Sequence, residues 1–257
     1  MNLMYSTEND KPMNLAQLNM IPTPAPKGRF HRPYGFGEYV EDVNHALDRA
    51  GMTVLDQEFA VTKDHGSMFG LMEIGAKPLE GELITADEWK LMLGLRGSHN
   101  QRIGRGLVLG NQVTVCSNLM FTGNVANFST RQTTNIATRL PGLIYDAVQQ
   151  IPQMAERQEK VFEIYHDRDL KPRAGDAALV EIYRRDGLNP SQLGRAIQEW
   201  HEPAFDEHAA EGWNAWRLMN SVTQSLKPTG AHVNNDAIAQ RSQVTSKFLD
   251  EICSINF

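Results

Sequence analysis

The hydrophobic positions follow a strand-like pattern in the first half of the chain and a helical pattern in the second half. Short apolar runs are separated by turn-like or polar stretches, which is typical of strands. Because no helical pattern intervenes between the runs, they are expected to pair in sequence as an antiparallel sheet. The four predicted strands are 53–62, 67–74, 89–96 and 105–116.

Apolar residues at helical spacing predict a helix over 34–50, and more helices after residue 134. The first helix is expected to end at Gly51, because glycine commonly terminates helices. The long helical segment 140–166 is expected to kink or break at Pro152. The further predicted helices are 177–185, 190–200, 213–226 and 235–253.

The start of the chain is predicted to be an extended arm without a helix. Four prolines lie between residues 22 and 33, and each fixes its φ angle and removes a backbone donor. The predicted fold class is therefore α+β, an antiparallel sheet packed by a helical second half. The predicted organisation is an arm over 1–33 and a single domain over 34–257, sheet-rich over 52–135 and helical over 136–257.

The composition indicates a globular protein. Hydrophobic residues make up 41% and charged residues 22% of the chain, which is ordinary for a globular protein. No stretch has the roughly 20 apolar residues that a membrane-spanning helix needs. The N-terminus lacks the basic and apolar regions of a secretory signal, and Cys116 and Cys253 lie far apart in sequence. We expect a cytoplasmic protein, in the host cytoplasm if a phage encodes it.

The charge of the chain is unevenly distributed. The net charge is −6, yet 11–37 carries four cations and no acid, and 89–145 carries six cations and no acid. The rest of the chain therefore carries a net charge of −16. A local positive field can hold phosphates on an acidic protein, so the distribution favours a nucleic-acid ligand. The alternative is that polar strands use Asn, Gln and Thr where acids could stand.

Sequence patterns typical of enzyme chemistry are weak. Gly104, Gly106 and Gly110 lack the strand-then-helix context and the Gly-Lys-Ser/Thr ending of a nucleotide-binding loop. Ser98 and His99 are neighbours in sequence, and this arrangement does not supply a catalytic triad. We therefore expect a protein that is not an enzyme and that needs no cofactor.

Cations alternate with aromatic residues at the end of the arm. Single-stranded nucleic acids are bound by this mixture, because cations contact phosphates while aromatic faces stack on unpaired bases. The alternative is that these aromatic residues pack onto the core. The candidate binding residues here are Lys27, Arg29, Phe30, Arg32 and Tyr34.

The glycine-bounded loop between the third and fourth predicted strands is rich in hydrogen-bond donors. Arginine, serine, asparagine and backbone amides can all bind an anion. The alternative is a solvated hairpin tip. The candidate binding residues in the sheet region are Arg96, His99, Arg102, Arg105 and Arg131, with Phe121 and Phe128 as stacking candidates.

One stretch of about thirty residues, 94–123, reads GLRGSHNQRIGRGLVLGNQVTVCSNLMFTG. It resembles the central motif of a phage- and plasmid-borne family catalogued as domain of unknown function 932. The later stretch 213–227 is similar to that family's Asn-Ala-x-Thr-Glu-Ala-Leu helix, although the family's Arg-Asn-Ser step is Arg-Gly-Ser here. The resemblance implies a mobile-element origin and implies no activity. The matching positions are Gly94, Leu95, Arg96, Ser98, His99, Val115, Cys116, Ser117, Asn118, Leu119, Phe121 and Gly123.

Three functions are compatible with these features. The leading hypothesis is a phage or plasmid protein that binds single-stranded DNA in replication, recombination or phage transcription. Its candidate protein partner is a phage RNA polymerase or a replication protein, and no membrane is involved. The second is a non-enzymatic anti-defence protein that docks on a host nuclease or restriction factor. The third is a metal-dependent nuclease that uses His166, Asp167 and Asp169.

Overall fold

The α+β fold class is confirmed by a computed structural model, which describes residues 12–76, 89–113, 118–121, 128–229 and 235–255. Within these residues the strand order of the sheet is β1-β2-β3-β4-β5, and β6 pairs with β4. The strands are β1 (Met52–Val61), β2 (Ser67–Ala76), β3 (Trp89–Ser98), β4 (Arg105–Val113), β5 (Asn118–Phe121) and β6 (Phe128–Thr130).

The four predicted strands are confirmed as β1 to β4, within a few residues at the ends that the structure describes; 114–116 of the fourth predicted strand lie outside the described residues. The pairing is antiparallel for β1 with β2, β2 with β3 and β4 with β6. Strands β5 and β6 were not predicted, because they have only 4 and 3 residues and show too little alternation.

The helices follow the predicted helical pattern with three differences. Helix α5 begins five residues earlier than predicted, α7 was not predicted, and α1 lies in the arm. The segment expected to break at Pro152 does divide, because α3 ends before it and Pro152 lies in the first turn of α4, where proline is tolerated. The helices are α1 (Leu15–Asn19), α2 (Phe36–Arg49), α3 (Ile136–Val148), α4 (Ile151–Asp167), α5 (Pro172–Arg184), α6 (Pro190–His201), α7 (Asp206–Ala210), α8 (Ala215–Leu226) and α9 (Asn235–Ile252).

The prediction that the arm contains no helix is wrong for α1. Asn14 caps this helix, since its side chain accepts from the Gln17 amide at 2.9 Å and the Gln17 side chain accepts from the Asn14 amide at 3.0 Å. Leu18 and Ile21 are buried, with 0% and 8% of their surface exposed. Backbone hydrogen bonds also join Met13 to Phe59 of β1. The described part of the arm is therefore docked, and its proline stretch contains no helix.

The chain divides into two compact units. Unit 1 comprises Met1–Gly110 and Asn124–Pro152, and unit 2 comprises Asn111–Gly123 and Gln153–Phe257. In unit 1, helix α2 packs against α1, α3 and β1. In unit 2, α8 is the central helix, because 11 of its 12 residues are buried and it contacts α5, α6, α7 and α9. Both acid-free segments have their described residues in unit 1, apart from the few that belong to Asn111–Gly123.

Candidate nucleic-acid interface

The two acid-free segments meet in unit 1 around the buried side chain of Gln132. The Arg32 amide donates to the Gln132 carbonyl at 3.1 Å, and the Tyr34 amide donates to Gln132 Oε1 at 2.6 Å. The Gln132 side-chain amide in turn donates to the carbonyl of Ser98, at the end of β3. The end of the arm is therefore bound both to the segment after β6 and to the loop between β3 and β4.

The side chain of Arg105 lies beneath this junction and has no exposed surface. Its guanidinium donates to the Tyr34 carbonyl and lies 4.7 Å from the ring of Phe36 and 5.1 Å from the ring of Tyr39. Burial lowers its pKa to about 10, so the group is cationic at neutral pH. The expectation that Arg105 is an exposed phosphate ligand at a strand start is wrong, because aromatic rings of α2 enclose it.

His99 is also buried, with 5% of its surface exposed. Its ring stacks on Phe36 at 3.8 Å between centroids, and its Nε2 lies 3.1 Å from the Tyr34 carbonyl oxygen. Burial, with a smaller contribution from Arg105, lowers the pKa of His99 to about 4. The imidazole is therefore neutral at physiological pH, and its Nε2–H donates to the carbonyl. His99 is a buried contact of the junction instead of the exposed ligand that its loop position suggested.

Tyr34 connects the junction to helix α2. Its hydroxyl donates to the Asp42 carboxylate at 2.7 Å, and its carbonyl accepts from Arg105 and His99. Burial and the hydrogen bond to Asp42 raise the pKa of the Tyr34 hydroxyl. Its ring is half-buried, as is the side chain of Arg96. Tyr34 is therefore positioned mainly by contacts within the protein.

Five of the predicted binding residues have strongly exposed side chains. Phe30 has 66% of its surface exposed, and the Arg29 guanidinium lies 5.4 Å from its ring centroid. We call this set the junction surface, and its members are Lys27, Arg29, Phe30, Arg102 and Arg131.

Backbone pairing brings the parts of the junction surface close together. Arg105, the first residue of β4, is paired with Thr130, the last residue of β6. The loop that carries Arg102 therefore ends beside the point where the chain leaves β6 and continues to Arg131. A Cβ atom on Gly104 would lie 3.2 Å from the Thr130 carbonyl oxygen, which shows how closely these segments approach. Residue 132 then bonds to the arm at Arg32. Arg102, Arg131 and the end of the arm therefore surround the same junction.

The other predicted residues have different environments. Arg32 is half-buried, and its Nη1 donates to the His31 carbonyl at 3.0 Å. Phe128 is half-buried at the start of β6. Phe121 is the last residue of β5, and its side chain lies outside the described residues.

Sequence reasoning missed Gln132, which has two hydrogen bonds that join the two segments and a third to Ser98 within the second segment. Its position next to Arg131, in an acid-free stretch, was the only available signal. It also missed Arg217 in unit 2, whose buried guanidinium donates to the carbonyls of Trp200 and His201 at the end of α6. This guanidinium lies 4.1 Å from the ring centroid of Trp213.

The candidate nuclease residues do not form a metal centre. His166 Nδ1 lies 2.8 Å from a Glu211 carboxylate oxygen, and Asp169 makes a β-bridge with Asn214. In the parts of the chain that the structure describes, no group of three His, Cys, Asp or Glu side chains is placed to hold a metal ion. No helix there has both the length and the apolar character needed to cross a bilayer.

No family model matches this chain, and no curated protein or solved structure matches it either. The resemblance of 94–123 to the family catalogued as domain of unknown function 932 therefore stays a prediction.

Proposed function

We propose that the chain binds single-stranded DNA through the junction surface, without catalysing a reaction. The observation that carries the proposal is the meeting of two acid-free segments at Gln132, with exposed cations on both sides. In the role that we propose, the chain serves a phage or plasmid in replication, recombination or transcription. A phage RNA polymerase or replication protein is its candidate partner.

Attraction of DNA to the junction surface depends on where the exposed cations lie and does not depend on the net charge of the whole chain. Lys27 and Arg29 come from one acid-free segment, and Arg102 and Arg131 come from the other. All four side chains are exposed, so each can contact a phosphate without first leaving a buried site. Because the field of exposed charges falls off over about 10 Å at 0.1 M salt, acids farther away than this weaken the attraction only slightly, whereas Asp64, which interacts electrostatically with Arg102, opposes it locally.

The buried layer supports the proposal by fixing the backbone beneath the surface. Arg105 and His99 both donate to the Tyr34 carbonyl, and Gln132 binds the amides of Arg32 and Tyr34. A binding surface held by such contacts loses little conformational entropy when a ligand docks. Arg105 and His99 therefore have a positioning role, and the exposed cations are the expected ligand contacts.

A single strand fits this surface better than a duplex. Arg29 lies beside the exposed ring of Phe30, Lys27 is in the same turn, and an unpaired base can stack on such a ring. The faces of paired bases are covered inside a duplex, so the ring would find no partner there. The cations alone would bind both forms of DNA.

Fluorescence anisotropy with a labelled single strand and the matching duplex tests the proposal. We expect tighter binding of the single strand at equal salt. The variant Arg102→Ala/Arg131→Ala should weaken single-strand binding at least about tenfold, because two charge-assisted contacts are lost. Arg173→Ala removes an exposed arginine of α5 in unit 2 and serves as the matched control, with unchanged affinity expected. Tighter duplex binding, or equal losses in both variants, would contradict the proposal.

A further inference from the structure

The exposed ring of Phe30 lies on a closed turn over residues 27–31. Gly28 has φ +69°, a conformation that glycine adopts without strain. The Lys27 amide donates to Nδ1 of His31 at 3.3 Å and closes the turn across its base. The tip of the arm is therefore an ordered turn.

The base of this turn is anchored in unit 1. His31 has only 5% of its surface exposed, and its carbonyl accepts from Arg32 Nη1 at 3.0 Å. The Arg32 amide is bound to the Gln132 carbonyl. The turn is thus fixed at its C-terminal side to the junction of the two acid-free segments.

Phe30 is exposed, as is Met20, although two other apolar residues of the same arm are buried. Leu18 and Ile21 pack into the core with 0% and 8% of their surface exposed, whereas Phe30 keeps 66% exposed. The arm is therefore attached to the core mainly through residues other than Phe30. The Arg29 guanidinium lies 5.4 Å from the Phe30 ring centroid, and most of the Phe30 surface is accessible to a flat ligand.

We infer that the 27–31 turn is a preformed stacking platform for one unpaired base. The base stacks on the face of Phe30 opposite Arg29, while Lys27 and Arg29 contact the phosphates beside it. His31 is a positioning residue, because its Nδ1 holds the Lys27 amide and its buried ring fixes the base of the turn. The inference rests on the proposed function and specifies how the ligand is selected.

Base stacking is separated from phosphate binding by comparing an ordinary single strand with an abasic strand of equal length. Phe30→Ala should weaken binding of the ordinary strand about tenfold and leave binding of the abasic strand unchanged. Met20→Ala is the matched control, because Met20 has 74% of its surface exposed and lies in the same arm outside the turn. It should change neither affinity.

Tryptophan at position 30 reports the stacking directly. In Phe30→Trp, the ordinary strand should quench additional emission beyond that of the four native tryptophans, and the abasic strand should not. Adding His31→Ala should abolish this extra quenching, whereas adding His31→Asn should retain it, because the asparagine Oδ1 can accept from the Lys27 amide. Thermal melting of each variant identifies any general loss of folding.

The outcomes distinguish this inference from the proposed function. If the wild-type chain binds neither strand, the proposed function fails and the inference fails with it. If the wild type binds but Phe30→Ala matches Met20→Ala, only the stacking platform is refuted. If His31→Ala folds and retains the full quenching of Trp at position 30, the positioning role of His31 is refuted.

Discussion

The guanidinium of Arg105, which has no exposed surface, donates a hydrogen bond to the backbone carbonyl of Tyr34. This contact joins the start of β4 to the end of the N-terminal arm. The two aromatic rings beside the guanidinium belong to α2, which begins shortly after Tyr34 in sequence, so two regions that are distant in sequence meet at one side chain. Among the described residues, its Nε and Nη1 atoms have no hydrogen-bond partner, and the rings supply much of its stabilising environment.

Arg105→Ala should lower the free energy of unfolding by about 2–4 kcal/mol, the usual range for truncating a large buried side chain. Arg102→Ala, three residues away on the exposed loop, should change it by less than about 0.5 kcal/mol. Urea denaturation of both variants provides the measurement. Equal stabilities would show that the Arg105 contacts contribute nothing to the fold.

Acidification should destabilise the protein through His99. Its pKa is about 4 in the folded chain, against an ordinary value of 6.5 for an unfolded histidine. The unfolded state therefore binds a proton more readily between these values, and stability falls as pH falls from 6.5 to 4. From pH 7 to pH 5 this residue should account for about 1–2 kcal/mol.

The variant His99→Gln isolates this effect. Glutamine can donate to the Tyr34 carbonyl and does not titrate, so the variant should lose less stability on acidification than the wild type does. Urea denaturation at both pH values gives the comparison. Parallel losses in the two proteins would show that His99 is not the group responsible.

Arg217 should be equally important for unit 2. Its guanidinium binds the carbonyls at the C-terminal end of α6 and stacks on Trp213, and burial lowers its pKa. Arg217→Ala should cost about 2–4 kcal/mol of unfolding free energy. Arg217→Lys should recover little of this loss, because lysine lacks the planar guanidinium that donates to the carbonyls and stacks on the tryptophan ring at the same time. Full recovery with lysine would mean that charge alone is required.

Two helical glycines should respond oppositely to alanine. A Cβ atom on Gly175 of α5 would overlap the buried ring of Trp200, so Gly175→Ala should destabilise the protein by about 1–3 kcal/mol. At Gly194 of α6, no atom of another described segment lies within 4 Å of the Cβ position, so Gly194→Ala should stabilise the protein by about 0.4–1 kcal/mol. Differential scanning calorimetry should therefore show melting-temperature shifts of opposite sign.

Hydrophobic patterning predicted the strands and helices that are long enough for their pattern of apolar residues to repeat several times. Strands β1 to β4 each have nine or ten residues, and the longer helices span several turns. Strand β6 has three residues, and it is defined by its pairing with β4 instead of by its own alternation. Helix α1 was not predicted, because the four prolines after it predicted an extended conformation for the whole arm. Asn14 and Gln17 nevertheless form a capping pair.

The candidate site was predicted in part, because exposure cannot be read from residue type alone. Arg102 and Arg105 look alike in a hairpin sequence, yet Arg102 is exposed and Arg105 is enclosed by α2. The enclosing rings, Phe36 and Tyr39, are far away in sequence, and no local pattern links them to β4. The charge distribution identified the two acid-free segments, and the hydrogen bonds of Gln132 show where these segments meet.

The salt dependence of single-strand binding tests the central claim most directly. If the four exposed cations of the junction surface each contact one phosphate, the logarithm of affinity should fall with the logarithm of salt at a slope of about −3. Arg102→Ala/Arg131→Ala should reduce the slope to about −1.5, because two of the four contacts are lost. A slope near zero in the wild type, or an unchanged slope in the variant, would contradict single-strand binding at this surface.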